Sequence, residues 1–460
     1  MQTITQNRTT EAKKAFMKFL HSESTGGIIL LICAVIALLF ANIPALVPFT
    51  SIWDYNCGIE FGNFSLKMPL RLWINDGLMA IFFFVVGLEI KREMLVGGLS
   101  SAKKAALPVF AALGGMIFPA IIYAIFNHDN PDTSHGWGIP MATDIAFAIG
   151  VISLLGKRIP IGIKALIAAL AVADDLGAII VLAIFYPTHA LHLSFLLYAA
   201  IVVAIILILR KLGVYNKYLY VIAGVFLWYF IFQSGVHATI AGVILAITVP
   251  SRPKIDEDTY ITKFSGMLER FKTTVKRDES PLANSEGVFI IHEMHKEVEK
   301  VDPLMHRFES KLHPFSTFLI MPLFALANAG VAFSGMDFSE GVPSLTLGIF
   351  FGLVIGKPLG IFILSFLSTK LKIAELPSGT SWPQIFAMGM LAGIGFTMSI
   401  FINGLAFHDP IFADEGKMTI LISSFTAAIL GSVALYLTTR KNKINNHNYE
   451  FVFHMHHTLI

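Results

Sequence analysis

The sequence predicts an all-α polytopic membrane protein, and three observations carry that expectation. The chain of 460 residues is 55% hydrophobic and only 14% charged, where soluble domains carry about 25% charged residues. Its mean hydropathy is +0.69. The apolar residues gather into runs long enough to cross a bilayer as helices, about 20 residues each, and Lys and Arg collect in alternate loops between those runs. A disordered chain and a secreted disulfide scaffold are excluded, the latter because only Cys33 and Cys57 are present. A formal net charge of +3 is near balance and points to no nucleic-acid partner.

Twelve spans are expected, at 27–46, 70–90, 105–126, 142–155, 163–186, 193–209, 218–232, 236–249, 315–333, 345–367, 384–407 and 419–437. Nineteen Lys and Arg fall on one side, from Arg8 in the first segment to Lys443 in the last, against Lys67, Arg71 and Lys417 on the other. The positive-inside bias then places both termini in the cytoplasm and requires an even number of spans. The first run, preceded by about 25 mostly polar residues, suits an uncleaved anchor better than a signal peptide.

The chain divides at the loops. Residues 1–250 hold spans one to eight, 251–313 form a long charged cytoplasmic loop, 314–440 hold spans nine to twelve, and 441–460 form a cytoplasmic tail. Between Ser251 and Lys311 there are 11 Lys/Arg and 12 Asp/Glu. Ile291, Met294, Val298 and Val301 recur there at helical spacing, which suits one short amphipathic helix, although a solvated linker fits the same residues. Alternation in Gly58–Leu66 permits a small external hairpin. The tail carries His447, His454, His456 and His457, read as a mobile end rather than a metal site.

Ionisable residues within the spans carry the functional reading, because a charge in hydrocarbon is expensive and marks a pathway by default. Lys357 is the one cation that neither loop set accounts for, in Ile355-Gly356-Lys357-Pro358. It can serve as counter-ion to an aspartate or exchange a proton itself. Asp174 and Asp175 are adjacent in span five, about 100° apart on a helix, so one interface cannot hide both. Two like charges so close disfavour joint ionisation and suit reversible protonation. Asp144 in the short span four can cap a half-helix, since a carboxylate offsets an N-terminal dipole. Asp76 beside Asn75 reads as structural or pathway-lining, and Glu89, Lys91, Arg92 and Glu93 sit at the charged end of span two. Gly393-Ile394-Gly395 interrupts span eleven. Spans four and eleven hold corresponding places when spans three to five are set against ten to twelve, and paired interruptions of this kind indicate inverted repeats with a site between them. Carboxylates without a Cys or His cluster suit a proton or a small hard cation.

On these residues the sequence resembles the NhaA-type Na⁺/H⁺ antiporters of bacteria. The matching stretches include Asn75-Asp76-Gly77, Ala142-Thr143-Asp144-Ile145, Asp174-Asp175-Leu176-Gly177, Ser234-Gly235-Val236-His237-Ala238, Ala327-Asn328-Ala329-Gly330, Ile355-Gly356-Lys357-Pro358 and Gly393-Ile394-Gly395-Phe396-Thr397. They run in family order over about 13–250 and 306–440. That family is itself a standard example of transporter inverted repeats.

The resemblance implies twelve helices, with helices four and eleven broken and crossed at mid-membrane. It implies a secondary active antiporter rather than an enzyme, extruding cytoplasmic Na⁺ or Li⁺ in electrogenic exchange for external protons. The expected setting is the bacterial inner membrane, with activation at alkaline pH and a role in pH and sodium homeostasis. Asp174 and Asp175 would bind the ion and the proton. Thr143 and Asp144 would sit at the crossing, Asp144 compensating helix ends and Lys357 the opposite ends while pairing with Asp174. Glu89, Arg92, Glu93, Glu309 and His313 would form a pH-sensing cluster, with His237 tied to the pH response. No cofactor is expected; the partners are Na⁺, H⁺, the lipid bilayer and a second copy of the chain, joined partly through the external hairpin. The loop before Glu309 is much longer than the family's usual one, which puts the pH set-point in question.

Two other readings compete. An intramembrane aspartyl protease needs carboxylates on facing helices, and its Gly-x-Gly-Asp pattern is absent. A sodium-coupled symporter of organic anions would not need an adjacent Asp pair with a buried Lys.

Overall fold

The computed structural model describes residues 23–62, 64–187, 191–275, 285–333 and 341–456. The basic N-terminal residues Arg8 to Lys18 lie outside them, as do the side chains of the tail histidines. Among the described residues the architecture is a helix bundle with one two-stranded hairpin.

Helix α1 spans Glu23–Asn42, and a hairpin follows, pairing β1 (Asn56–Phe61) antiparallel to β2 (Phe64–Pro69). Gly62 turns it at φ +59°, a left-handed conformation that costs glycine little. The strands outrun the sequence expectation of 58–66 at both ends, from Asn56 paired with Pro69 to Phe61 paired with Phe64. The remaining membrane helices are α2 (Leu70–Leu95), α3 (Ala102–Asn127), α4 (Ile145–Leu154), α5 (Ile161–Phe185), α6 (Leu193–Lys211), α7 (Lys217–Gln233) and α8 (Ile240–Thr248). After residues 251–303 the chain continues with α11 (Leu304–Phe315), α12 (Met321–Asn328), α13 (Ser344–Lys370), α14 (Trp382–Ala392), α15 (Phe396–Ala406) and α16 (Pro410–His456).

Among the described residues, eight helical stretches are long and apolar enough to cross a membrane, or nine when α14 and α15, bent by 49° between them, count as one. Segments expected as spans seven, eight and nine fall short of that test. Helix α7 has 17 residues and α8 has nine, and span nine holds only the last residue of α11 before a wide turn Ser316–Ile320 and the short α12.

The core lies between α2, α3, α5, α12, α13, α14 and α15, around Phe83, Met79, Leu391, Ile361 and Phe324. Helix α3 crosses α13 where Gly114 and Gly360 face each other, and a methyl group on either would run into the other's carbonyl. Gly360→Val is therefore expected to separate the two helices, and size-exclusion chromatography should show little monodisperse protein. A variant eluting and melting like the wild type would contradict the close crossing.

Residues 251–313 correct the sequence reading. In place of a long loop with one amphipathic helix there are, among the described residues, three helices, α9 (Glu257–Thr274), α10 (Ser285–Val301) and α11. Asp256 caps α9 by accepting from the Thr259 amide at 3.2 Å, the stop-and-start chemistry that a charge count overlooks. The stripe that suggested a helix does lie on α10, but Ile291 and Val298 on it are 42% and 41% exposed. Gly287 and Ile290 supply the buried contacts instead.

Candidate functional site

The site is built where two helices lose their regular backbone. Ahead of α4, a tightly wound segment Ser134–Met141 gives way to extended backbone at Ala142 and Asp144. Gly393-Ile394-Gly395 separates α14 from α15 in the same way. Free amides and carbonyls at such ends must find partners away from water. Here the two interruptions satisfy each other. The Asp144 amide donates to the Ile394 carbonyl at 2.7 Å, Thr143 Oγ1 to the Ala392 carbonyl at 3.0 Å, and Ser399 Oγ to the Ile139 carbonyl at 2.8 Å.

The remaining ends take charged side chains of the complementary sign. Asp144 is fully buried and serves two helix N-termini at once. Its Oδ1 accepts from the Phe147 amide of α4 at 2.9 Å, and its Oδ2 from the Thr397 amide of α15 at 3.2 Å and from the Thr397 hydroxyl. Lys357, 1% exposed, donates to the Met141 carbonyl, where the wound segment ends. Its second bond goes to Asp174 Oδ2 at 2.6 Å. A wide turn Gly352–Gly356 immediately precedes Lys357, and turns of this kind recur at functional positions.

The adjacent aspartates on α5 part company. Asp174 Oδ2 is held by Lys357 and by Thr143 Oγ1, the latter at 2.5 Å. Its Oδ1 is buried with no hydrogen-bond partner among the described residues. Asp175, 2% exposed, lines a cavity of about 480 Å³ together with Thr143 and Asp144. Helical geometry turns the two side chains to different neighbours.

Glu89, Arg92, Glu93, Glu309 and His313 line the same cavity. Arg92 reaches Glu309, which is 7% exposed, and lies 3.5 Å from Glu93; His313 Nδ1 is 3.1 Å from Glu89 Oε1. Glu93 Oε2 also accepts the Gly98 amide at 2.8 Å. Burial raises the Glu309 pKa above its ordinary value, against the opposing pull of the Arg92 charge. The hydrogen bond to Glu89 raises that of His313.

His237 lies elsewhere. It is 2% exposed, its ring is 6.3 Å from that of Phe401, and Phe401 in turn packs against Phe83 and Phe324. Its Nδ1 finds no partner among the described residues, and the residue does not line the cavity. It touches α15 rather than the cluster on α2 and α11. Asp76 is buried apart from the aspartate pair, its carbonyl accepting from the Trp228 indole at 2.9 Å. Its neighbour Asn75 exchanges amide bonds with Asn328.

Two partners of the site carry no role in the sequence reading. Thr397 supplies Asp144 with both an amide and a hydroxyl, and Ser424 Oγ accepts from the Phe396 amide at 3.0 Å, capping the start of α15. The available signal was a hydroxyl inside an apolar run, Ser423-Ser424 within span twelve, which on its own also fits a hydroxyl bonded to its own helix.

Comparison with known proteins places this arrangement in a family. The family model described as Na⁺/H⁺ antiporter 1 matches residues 17–435. The chain is 45% identical to the Na(+)/H(+) antiporter NhaA 2 of Helicobacter hepaticus, over 95% of this chain and 98% of that one. It is 44% identical to the Na(+)/H(+) antiporter NhaA of Wolinella succinogenes, over 94% and 95%. Identity to the NhaA 2 protein of Flavobacterium johnsoniae is also 44%, over 94% of each chain. With its apolar helices, its interrupted spans and a match running almost end to end, this multi-pass membrane protein belongs to the Na⁺/H⁺ antiporter 1 family, a family of transporters rather than enzymes.

Proposed function

We propose that the protein extrudes cytoplasmic Na⁺ or Li⁺ in electrogenic exchange for external protons, with activity rising at alkaline pH, and so serves pH and sodium homeostasis. One observation carries the reading. Asp175 faces a cavity ringed by ionisable groups, while its neighbour Asp174 is held by Lys357 and Thr143.

A cation entering the cavity meets Asp175 first and reaches Asp174 by displacing the Lys357 ammonium. Protons and Na⁺ compete for the same carboxylates, so exchange needs no separate gate for each ion. When Na⁺ binds, Asp175 and the Lys357–Asp174 pair each release a proton, and two protons against one Na⁺ move net charge. Asp144 and Thr397 tie the starts of α4 and α15, so the two can shift as one element and expose the carboxylates to alternate sides. Bound ions bias that shift only by their different affinities for the two states. The transported ions are cargo, and turnover uses no resident cofactor.

The reading includes twelve spans, both termini in the cytoplasm and residence in the bacterial inner membrane. It also includes a homodimer joined partly through the hairpin, where Ile59 and Phe61 are 67% and 83% exposed.

The pH dependence follows from the sign of the His313 shift. With its pKa raised by Glu89, the imidazolium persists to higher pH than in a free histidine, and the pair dissolves as pH climbs through that value. If the pair holds the cytoplasmic mouth inactive, His313→Ala moves the half-activation pH downward. An unchanged profile would remove His313 from the sensor.

The direct test is dequenching of a ΔpH dye in everted vesicles, with Na⁺, Li⁺ and K⁺ added separately across a pH series. Dequenching by Na⁺ and Li⁺ but not K⁺, growing with pH, is the expected result. Its absence at every pH, with the protein in the membrane, would favour sodium-coupled uptake of organic anions.

A further inference from the structure

Two cavities outside the transport site meet on the insert 251–313, and we infer that together they form a binding site for a phosphate-bearing anion. The first, about 470 Å³, lies between α9 and α10 and is lined by Lys263, Arg270, Lys296 and Lys300. The second, about 200 Å³, lies at the foot of the insert and is lined by Arg252, Lys254 and Arg307, and again by Lys296 and Lys300. The shared lysines join them into one basic groove.

What marks the groove is the state of its carboxylates. The four that line it each have a partner: Glu293 with Arg270 at 3.3 Å, Glu297 with Lys300 through Oε1 alone, its Oε2 having no hydrogen-bond partner among the described residues, Glu299 with Arg307 at 2.9 Å, and Asp302 with His306 at 2.7 Å. Arg252, Lys254, Lys263 and Lys296 have no carboxylate within ion-pair distance among the described residues. Four such cations lining two adjoining cavities, with Lys296 common to both, repel each other, and a multivalent anion relieves that repulsion while taking several charge-assisted hydrogen bonds. The groove is also fixed in place. The Lys254 amide donates to the Lys300 carbonyl at 2.8 Å and the Met305 amide to the Pro250 carbonyl at 3.1 Å, which ties the second cavity to the end of α8 and the start of α11.

Two sources can present such a phosphate. Tyr215, in the turn between the membrane helices α6 and α7, lines the second cavity, so an acidic lipid headgroup is within reach. The first cavity, farther along the insert, is open to a soluble phosphate ester.

The test uses the full chain in nanodiscs. Wild-type protein is placed in phosphatidylcholine with a minor share of phosphatidylglycerol, and the phosphatidylglycerol held per chain is measured by native mass spectrometry. Inorganic phosphate is titrated calorimetrically in pure phosphatidylcholine discs. The variant combines Arg252→Gln, Lys254→Gln, Lys263→Gln and Lys296→Gln, and a control removes equal charge elsewhere through Lys104→Gln, Lys272→Gln, Lys311→Gln and Lys370→Gln. A several-fold loss of lipid or phosphate binding in the variant but not in the control supports the site, and the arm that responds names the source. Equal binding by variant and wild type, equal loss in the control, or no binding in either arm overturns it. Should the variant fail to fold, acetylation of wild-type lysines mapped by mass spectrometry decides: phosphatidylglycerol or inorganic phosphate must slow modification of Lys254, Lys263 and Lys296 more than that of Lys272, and equal rates overturn the site.

Discussion

Vesicles carrying Asp175→Asn should show Na⁺-driven dequenching no greater than vesicles without the protein. The amide keeps the shape of the side chain and removes its charge at the position that faces the cavity. One unit charge at about 4 Å from a bound cation is worth roughly 4 kcal/mol at an effective dielectric constant near 20. That is about a thousandfold in affinity, enough to leave Na⁺ unbound at working concentrations. The protein itself should survive, because the bonds from Lys357 and Thr143 go to Asp174 rather than Asp175. Its yield, elution and melting temperature should match the wild type. Wild-type transport by a well-expressed Asp175→Asn protein would sink the assignment.

Lys357→Ala should fail differently, in the fold. The lysine is buried and has two interior partners, the Asp174 carboxylate and the Met141 carbonyl. Removing one member of a buried ion pair leaves the other uncompensated and costs about 3–5 kcal/mol. The expected readout is a clear fall in melting temperature in detergent at neutral pH. The second half of the experiment separates charge from packing. Combining Lys357→Met with Asp174→Asn removes both charges and keeps most of the volume, so it should recover much of the lost stability while remaining inactive. A Lys357→Ala protein that melts like the wild type would show that Asp174 finds another partner, and the proposed displacement of Lys357 by Na⁺ would lose its basis.

These two experiments also mark where reading the sequence stops. Lys357 could be singled out without a structure because every other cation had a loop to occupy, and hydrocarbon does not tolerate an idle charge. The pairing of Lys357 with Asp174, implied by family resemblance, spans 183 residues and depends on how α13 lies against α5. Which of the two adjacent aspartates faces the cavity depends on the same packing. Thr397 and Ser424 have no role legible in sequence, because a hydroxyl in an apolar run looks the same whether it bonds its own helix or caps another. The pH cluster shows the same division. Glu89, Arg92 and Glu93 are visible as a charged helix end, while Glu309 and His313 reach them from the far end of an insert that itself folds into helices.

What the sequence determined by itself was the solvent of each segment, and with it the membrane class, the apolar runs and the few charges out of place. Composition is sufficient for that, because transfer between water and hydrocarbon depends on each side chain one at a time. The tertiary structure decided who partners whom: Asp144 between the starts of α4 and α15, Lys357 between Met141 and Asp174, and His237 among aromatic rings away from the cluster. Contacts of the site join residues as many as 260 positions apart. Their energies fall off over a few ångströms, so only the packed arrangement of the helices fixes them.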